Sequence, residues 1–461
     1  LTLPDGLQPP QRGRAVLVIV LGLTLAVMDG SIVNLALPGI ARELHAPASQ
    51  AIWVINAYQI ASLVMLLPLA ALGDRLGYRR VYLVGMALFV LSSLLAMLAN
   101  SLLMLTAARA LQGLGAAGIM SVNTALVRLI YPSARLGRGI AINSMVVATS
   151  TMAGPAVAAA ILSVASWSWL FALNVPLGLL TLWMGRRALP KNPPRTEAAP
   201  QFSLIDVLLN VLMFTLVFVG AEQLGVRGEA AHSASPMGWA LLGAGVAVGV
   251  VYLRRQWFLA APLFPLDLLR IPVFALSMGS SLGAFCAQML AFLSLPFLLL
   301  EVQGRTHMQA GLIMTAWPLA TVLVAPVAGR LIGRYPAGWL GGIGMVVFAS
   351  GLLLVGLRPE HTTALEMGWR LALCGAGFAL FQSPNNHTIV TTAPLHRSGA
   401  ASGMLGTARL TGQTLGAVML AAIYAVWNQH DGRGETIALC LAAGCALLAG
   451  VSSSLRVRAS R

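Results

Sequence analysis

Lysine is all but missing. Lys191 is the one lysine in 461 residues, and Asn192 follows it. A phosphate-binding loop needs a Gly-rich stretch closing on Gly-Lys-Ser/Thr, so this chain carries no ATP-binding cassette. A retinal-type pump needs a lysine within a span, and Lys191 stands in a Pro-rich loop. Charge of either sign is scarce, at 9% of residues against roughly 25% in a soluble domain. Acids are rarer than bases, 14 against 29. The four cysteines (Cys286, Cys374, Cys440, Cys445) sit in apolar runs without metal-ligand spacing. They read as small packing residues, not a disulfide or metal set. These scarcities exclude a cytosolic enzyme, and no metal or cofactor is expected.

What is abundant is apolar surface. The chain is 58% hydrophobic, with a mean hydropathy of +0.82, which excludes disorder. One helical span takes about 20 apolar residues. Fourteen runs are long enough, at 15–38, 50–72, 80–99, 102–127, 138–163, 167–186, 204–224, 236–256, 272–300, 307–329, 337–357, 366–392, 398–425 and 435–455. Helices are the only spanning solution outside a closed barrel. The first run is too long for a cleaved signal.

The net charge of +15 would suggest nucleic acid in a soluble protein. Here it follows the loops. Alternate connections hold most of the basic residues, including Arg12 and Arg14, Arg75, Arg79 and Arg80, Arg128, Arg135 and Arg138, Arg397, and Arg456. The opposite set holds only Arg42, Arg227, Arg305, Arg358, Arg370 and Arg433. The positive-inside rule then places both termini in the cytoplasm. Two basic residues, Arg109 and Arg409, belong to no loop.

A weak repeat divides the chain. Leu72 and Arg75 align with Leu331 and Arg334, 259 residues further on, and Gly333 stands where the first copy has Asp74. The expected fold is therefore an all-α membrane protein of fourteen transmembrane helices. Two pseudo-symmetric six-helix bundles occupy 1–189 and 271–461. An inserted helix pair with its linkers occupies 190–270. Paired bundles around a midplane site are the usual plan of secondary transporters.

Asp29 is the strongest site candidate. An ionised side chain inside a span costs about 2.5–3.5 kcal/mol on insertion scales. A proton-coupling role would justify that cost; a fixed structural pair is the alternative. Arg109, inside span four, is the natural partner, with snorkelling or carbonyl contact as its alternative. Arg409 lies mid-span in helix thirteen with no acid at an obvious facing position. Gly154-Pro155 breaks span five, because proline removes a backbone hydrogen bond. Candidate cavity residues are Asn34, Trp53, Asn56, Tyr58, Gln59 and Gln112 in the first half, with Asn143 as a further possibility. In the second half they are Gln288, Asn385, Arg409 and Gln413, with Gln382 and Asn386 beside them. Aromatics could hold an organic cation; ordinary interhelical hydrogen bonding is the alternative for each. Glu222 and His387 read as plain polar contacts.

Several of these stretches resemble one family. Met28-Asp29-Gly30-Ser31-Ile32-Val33-Asn34-Leu35-Ala36-Leu37-Pro38 is similar to the first-helix signature of fourteen-helix drug:proton antiporters of the major facilitator superfamily. Gly73-Asp74-Arg75-Leu76-Gly77-Tyr78-Arg79-Arg80 resembles that superfamily's loop 2–3 motif, with Ala70 in place of its first glycine. Arg109-Ala110-Leu111-Gln112-Gly113 resembles the fourth-helix motif, and Gly154-Pro155 the core of the antiporter motif. Ser150, Ala158 and Ala159 replace glycines of that last motif. The resemblance implies a proton-coupled exporter of lipophilic, cationic drugs or antiseptics. It would work as a monomer in a bacterial cytoplasmic membrane by alternating access. It also implies that Asp74, Arg75, Arg79 and Arg80 form a gating latch of ion pairs. The rivals are an exporter of one metabolite or antibiotic, and a non-transporting sensor or channel. The partners expected are a small-molecule substrate, protons and the lipid bilayer, with no nucleic acid.

Overall fold

In the computed structural model, residues 6–45, 51, 53–191, 203–225, 236–259, 262–359, 362–427 and 432–459 are described. Long helices succeed one another along them. The N-terminal half holds α1 (Gln11–Glu43), α2 (Trp53–Leu76), α3 (Tyr78–Met97), α4 (Leu102–Ile130) and α5 (Leu136–Leu162). It closes with α6, made of Ser168–Ala172 and Asn174–Ala188. Then come α7 (Leu204–Gly225) and α8 (Pro236–Trp257). The C-terminal half begins with α9 (Pro272–Phe297) and α10, made of His307–Met314 and Ala316–Leu331. It continues with α11 (Ala337–Gly356), α12 (Ala364–Thr392), α13 (Ser398–Val426) and α14 (Arg433–Ala459).

Among the described residues twelve helical stretches are long and apolar enough to cross a membrane. The expected fourteen spans are thus met at twelve places; α5 and α13 are helical where spans five and thirteen were expected but fall outside that set. Helix starts follow local chemistry. The Ser101 hydroxyl accepts from the Met104 amide ahead of α4. Thr363 and Glu366 close a reciprocal capping box ahead of α12. The tight turn from α2 to α3 is made by Gly77 at φ 103°, and that from α10 to α11 by Gly333 at φ 86°. Side chains with a Cβ rarely adopt such angles.

The 259-residue offset recurs throughout the packing. Gly85 on α3 lies against Gly118 on α4, where an added Cβ would come within 2.9 Å of the Gly118 Cα. At that offset Gly344 on α11 lies against Gly377 on α12, with an added Cβ within 2.7 Å of a carbonyl oxygen. Met86 and Phe89 correspond to Met345 and Phe348, all wholly buried. Ser62 donates to the Gly113 carbonyl at 3.1 Å, and its counterpart Thr321 donates to the Gly375 carbonyl at 3.1 Å. Small residues allow backbones to approach where apolar lipid provides no hydrophobic drive between helices. Trp317, Phe348, Phe378 and Phe285 then fill the C-terminal core with edge-on ring contacts.

The helices α7 and α8 pack on each other through Gly220 and Gly245. Asn210 of α7 donates to the Val64 carbonyl of α2 at 2.7 Å. Phe214 and Phe218 join a cluster with Leu63 of α2 and Met404 of α13, so α7 touches both halves. On α8, Trp239, Val246, Val250 and Trp257 remain exposed. An outward apolar face of this kind suits lipid.

Candidate functional site

The buried centre of the N-terminal half is a carboxylate surrounded by donors. Asp29 on α1 is 1% exposed, and Arg109 and Gln112 on α4 are 0% exposed. One Asp29 oxygen accepts from Arg109 Nη1. The other accepts from Gln112 Nε2 at 2.9 Å and from Asn174 Nδ2 at 2.6 Å. Gln112 also accepts from Arg109 Nη1 at 2.7 Å and donates to Ser93 Oγ at 2.8 Å. Arg109 Nε donates to the Val54 carbonyl at 3.1 Å. The Arg109 guanidinium lies 4.3 Å from the centre of the Tyr58 ring and 5.7 Å from that of Phe171. The Tyr58 hydroxyl is occupied by the Ala26 carbonyl at 2.6 Å. Five helices, α1, α2, α3, α4 and α6, thus converge on one ion pair. Breaking such a pair on one side strands a buried charge. Within this cluster Arg109 Nη2 has no partner.

Asp29, Arg109, Gln112 and Tyr58 are all expected from the sequence, and the structure brings them together. Asn174 and Ser93 are not. Both are small neutral polar residues within apolar runs, and the only available signal is that polarity. The side chains of Asn34, Pro155 and Glu222 lie outside the described residues. Gly154 packs against Ser31 of α1, where an added Cβ would fall 2.1 Å from the hydroxyl oxygen. Trp53 and Asn56 face α7, in a small cleft with Phe218, Val219 and Gln223. Gln59, Gln288, Gln413 and Asn143 are half-buried, and Asn143 accepts from Asn123 at 2.6 Å.

Asn385 is locked inside the C-terminal half, 0% exposed. It donates to Ser281 Oγ at 2.7 Å and accepts from Arg456 at 2.7 Å. Arg456 itself corrects an expectation. The sequence suggests a loop charge, but Arg456 lies within α14, 2% exposed. Its long side chain turns into the bundle to reach Ser277 and Asn385.

The second feature is a seal between the halves at the Asp74 end. Asp74 accepts from the Gly399 amide at 2.8 Å, the Ala400 amide at 3.0 Å and the Tyr78 hydroxyl at 2.7 Å. A carboxylate at a helix N-terminus meets unsatisfied N–H groups and the positive end of the dipole. Arg128 adds bonds to the Ala393 carbonyl at 2.8 Å and to Ser398 Oγ at 3.0 Å. Arg397 grips Asp267 through two bonds, at 2.9 and 2.7 Å. In this conformation Asp74 bridges the halves through backbone amides, and none of Arg75, Arg79 and Arg80 takes part in an ion pair among the described residues. Arg75 and Arg80 are exposed, and Arg79 reaches the Arg186 carbonyl of its own half. Two further buried clusters stay within one half each, Ile32 to Phe171 in one and Ala284 to Ala449 in the other.

A many-helix bundle with a charged pair at its centre and a closed contact at one end is the form of an alternating-access carrier. The chain belongs to the major facilitator superfamily, which it matches over residues 19–417. It is 50% identical to the uncharacterized transporter YebQ of Escherichia coli, over 99% of this chain and 98% of the relative. It is 28% identical to the riboflavin transporter RibZ of Clostridioides difficile, over 90% and 89%. It is 31% identical to the multidrug resistance protein Stp of Mycobacterium tuberculosis, over 88% of this chain and 75% of the relative. Among solved structures, the proton:xylose symporter XylE aligns with a TM-score of 0.66 at 14% identity, over 95% of this chain and 94% of the other. That likeness concerns the fold alone. The chain is a multi-pass membrane transporter of small molecules, not an enzyme.

Proposed function

We propose that this transporter is a fourteen-span, proton-coupled exporter of lipophilic organic compounds, of the drug:proton antiporter type. In this reading both termini are cytoplasmic, two six-helix bundles occupy 1–189 and 271–461, and the pair at 190–270 is an insertion. One observation carries it: a buried carboxylate, Asp29, whose every contact is a donor. A proton arriving on Asp29 removes the charge that holds Arg109 and turns one acceptor site into a donor, so the grip on Arg109, Gln112 and Asn174 weakens. Those residues sit on α4 and α6. Proton binding is thereby linked to the position of helices relative to α1. The seal at Asp74 then describes a state closed to the cytoplasm, opening toward the other side.

The relative named for multidrug resistance supports export of varied compounds. A carrier dedicated to one compound is the second reading, favoured by the relative named as a riboflavin transporter. The cationic cargo expected from the sequence would meet Asp29 as a counter-charge only when Arg109 releases it; aromatic faces are the other means of holding a cation.

Reconstituted vesicles with an imposed pH gradient test the proposal. Wild type should move a lipophilic rhodamine dye uphill. Asp29→Asn should lose uphill movement while still exchanging dye across equal pH. Uphill movement by Asp29→Asn would refute it.

A further inference from the structure

The mid-span arginine of the C-terminal half has a different setting from Arg109. Arg409 on α13 takes part in none of the three ion pairs among the described residues. Tyr58 lies close enough for its field to act on Arg409, and its hydroxyl is already committed to the Ala26 carbonyl. Asp29 is engaged by Arg109, Gln112 and Asn174, and no ion pair joins it to Arg409.

The position of Arg409 follows from the packing of α13 on α2. Gly399 lies against Asp74, Gly403 against Ala70, and Gly406 against Leu66, each leaving no room for a Cβ. Leu410 continues that face and packs against the cluster of Leu63 and Met404. Arg409 stands beside it, one turn beyond Gly406 and to one side of the helix contact. Gln413 stands one turn beyond it on the same face, half-buried like Arg409 itself. At the 259-residue offset the N-terminal half has Ser150, so the charge is not a feature of the shared skeleton.

An unpaired charge held in a span is costly and marks a substrate or ion pathway. The pair Asp29–Arg109 is neutral as a unit, and among the described residues no ion pair offsets the charge of Arg409. We propose that Arg409 receives an anionic group of the cargo, a carboxylate, sulfonate or phenolate on a lipophilic body. The guanidinium fork matches such oxygens with two parallel bonds. Gln413 can add a neutral donor, and the Tyr58 ring an apolar wall. This rests on the transporter reading above and narrows its cargo class.

Equilibrium binding to the purified full chain in detergent tests it with two dyes of one xanthene scaffold. Sulforhodamine B is a net anion, and rhodamine B ethyl ester is a cation. Fluorescence anisotropy should show the anion bound at least about tenfold more tightly. Arg409→Gln should weaken the anion by about tenfold or more, the loss of one charge-assisted contact. It should leave the cation within about twofold. Arg409→Lys should restore most of the anion's affinity, which separates loss of charge from loss of fold. Equal or tighter binding of the cation, absence of anion binding, or an unchanged affinity in Arg409→Gln would overturn the inference. Flux of the same dyes under a pH gradient reads the transporter proposal separately. Anion preference without proton-driven flux sinks the coupling and spares Arg409; coupled flux without preference does the reverse.

Discussion

In the N-terminal half a buried acid meets its base: Asp29 on α1 and Arg109 on α4. In the C-terminal half the residue 259 positions after Asp29 is Gln288, and the one after Arg109 is Gly368. Instead that half buries Arg456 among Ser277, Ser453 and Asn385, and holds Arg409 outside every ion pair among the described residues. The glycine contacts, the Ser62 and Thr321 bonds and the paired Met and Phe positions show that the halves share a skeleton. The difference is therefore in chemistry. One half holds a buried carboxylate among donors, on which the proposed proton exchange rests. The other offers Arg409, on which the proposed attraction of a negative cargo group rests. Division of labour between proton and cargo would follow from that asymmetry.

The sharpest way to break the comparison is to remove the base from the pair. Arg109→Leu leaves Asp29 buried without its counter-charge, a loss of about 3–5 kcal/mol. It should lower the thermal midpoint more than adding a single methyl group at any of the glycine contacts between helices. The double variant Arg109→Leu with Asp29→Asn should recover much of that stability and none of the uphill transport. A midpoint unaffected by Arg109→Leu would mean that the pair is not held together in the membrane.

A smaller effect tests the shared skeleton. Gly377→Ala places a Cβ about 2.4 Å from the Phe348 backbone nitrogen, and Gly118→Ala places one 2.8 Å from the Gly85 Cα. Overpacking of this kind costs about 1–3 kcal/mol. Both variants should unfold at lower temperature, Gly377→Ala the more so because its clash is closer. The smallest effect is expected at Ser150, the counterpart of Arg409. Its buried hydroxyl has no partner. Ser150→Ala should shift thermal stability by no more than about 0.5 kcal/mol and leave dye affinities unchanged. A marked loss of anion binding there would show that the two positions do the same work after all.

Much of this is legible in the sequence because membranes make charge expensive. Asp29 and Arg109 stand out in apolar runs, and the offset between Leu72 and Leu331 is already the register that the glycines share. The companions of Asp29 are harder to read. Asn174 and Ser93 are neutral, and in a span a neutral polar residue costs little whether or not it touches the site. The Val54 carbonyl leaves no sequence signal. Arg128, Arg397 and Arg456 resemble loop charges because they follow or end apolar runs. Long side chains let them reach back into the helices. The latch is expected from arginines, yet Asp74 uses the amides of Gly399 and Ala400, groups that every residue but proline possesses.

The most direct test measures protons rather than dye. A pH indicator trapped inside reconstituted vesicles would follow hydrogen-ion movement when sulforhodamine B is supplied on one side only. Wild type should move protons opposite to the dye, and Asp29→Asn should move dye down its gradient with no accompanying proton signal. A proton signal of wild-type size from Asp29→Asn would contradict the central claim that this carboxylate carries the coupling.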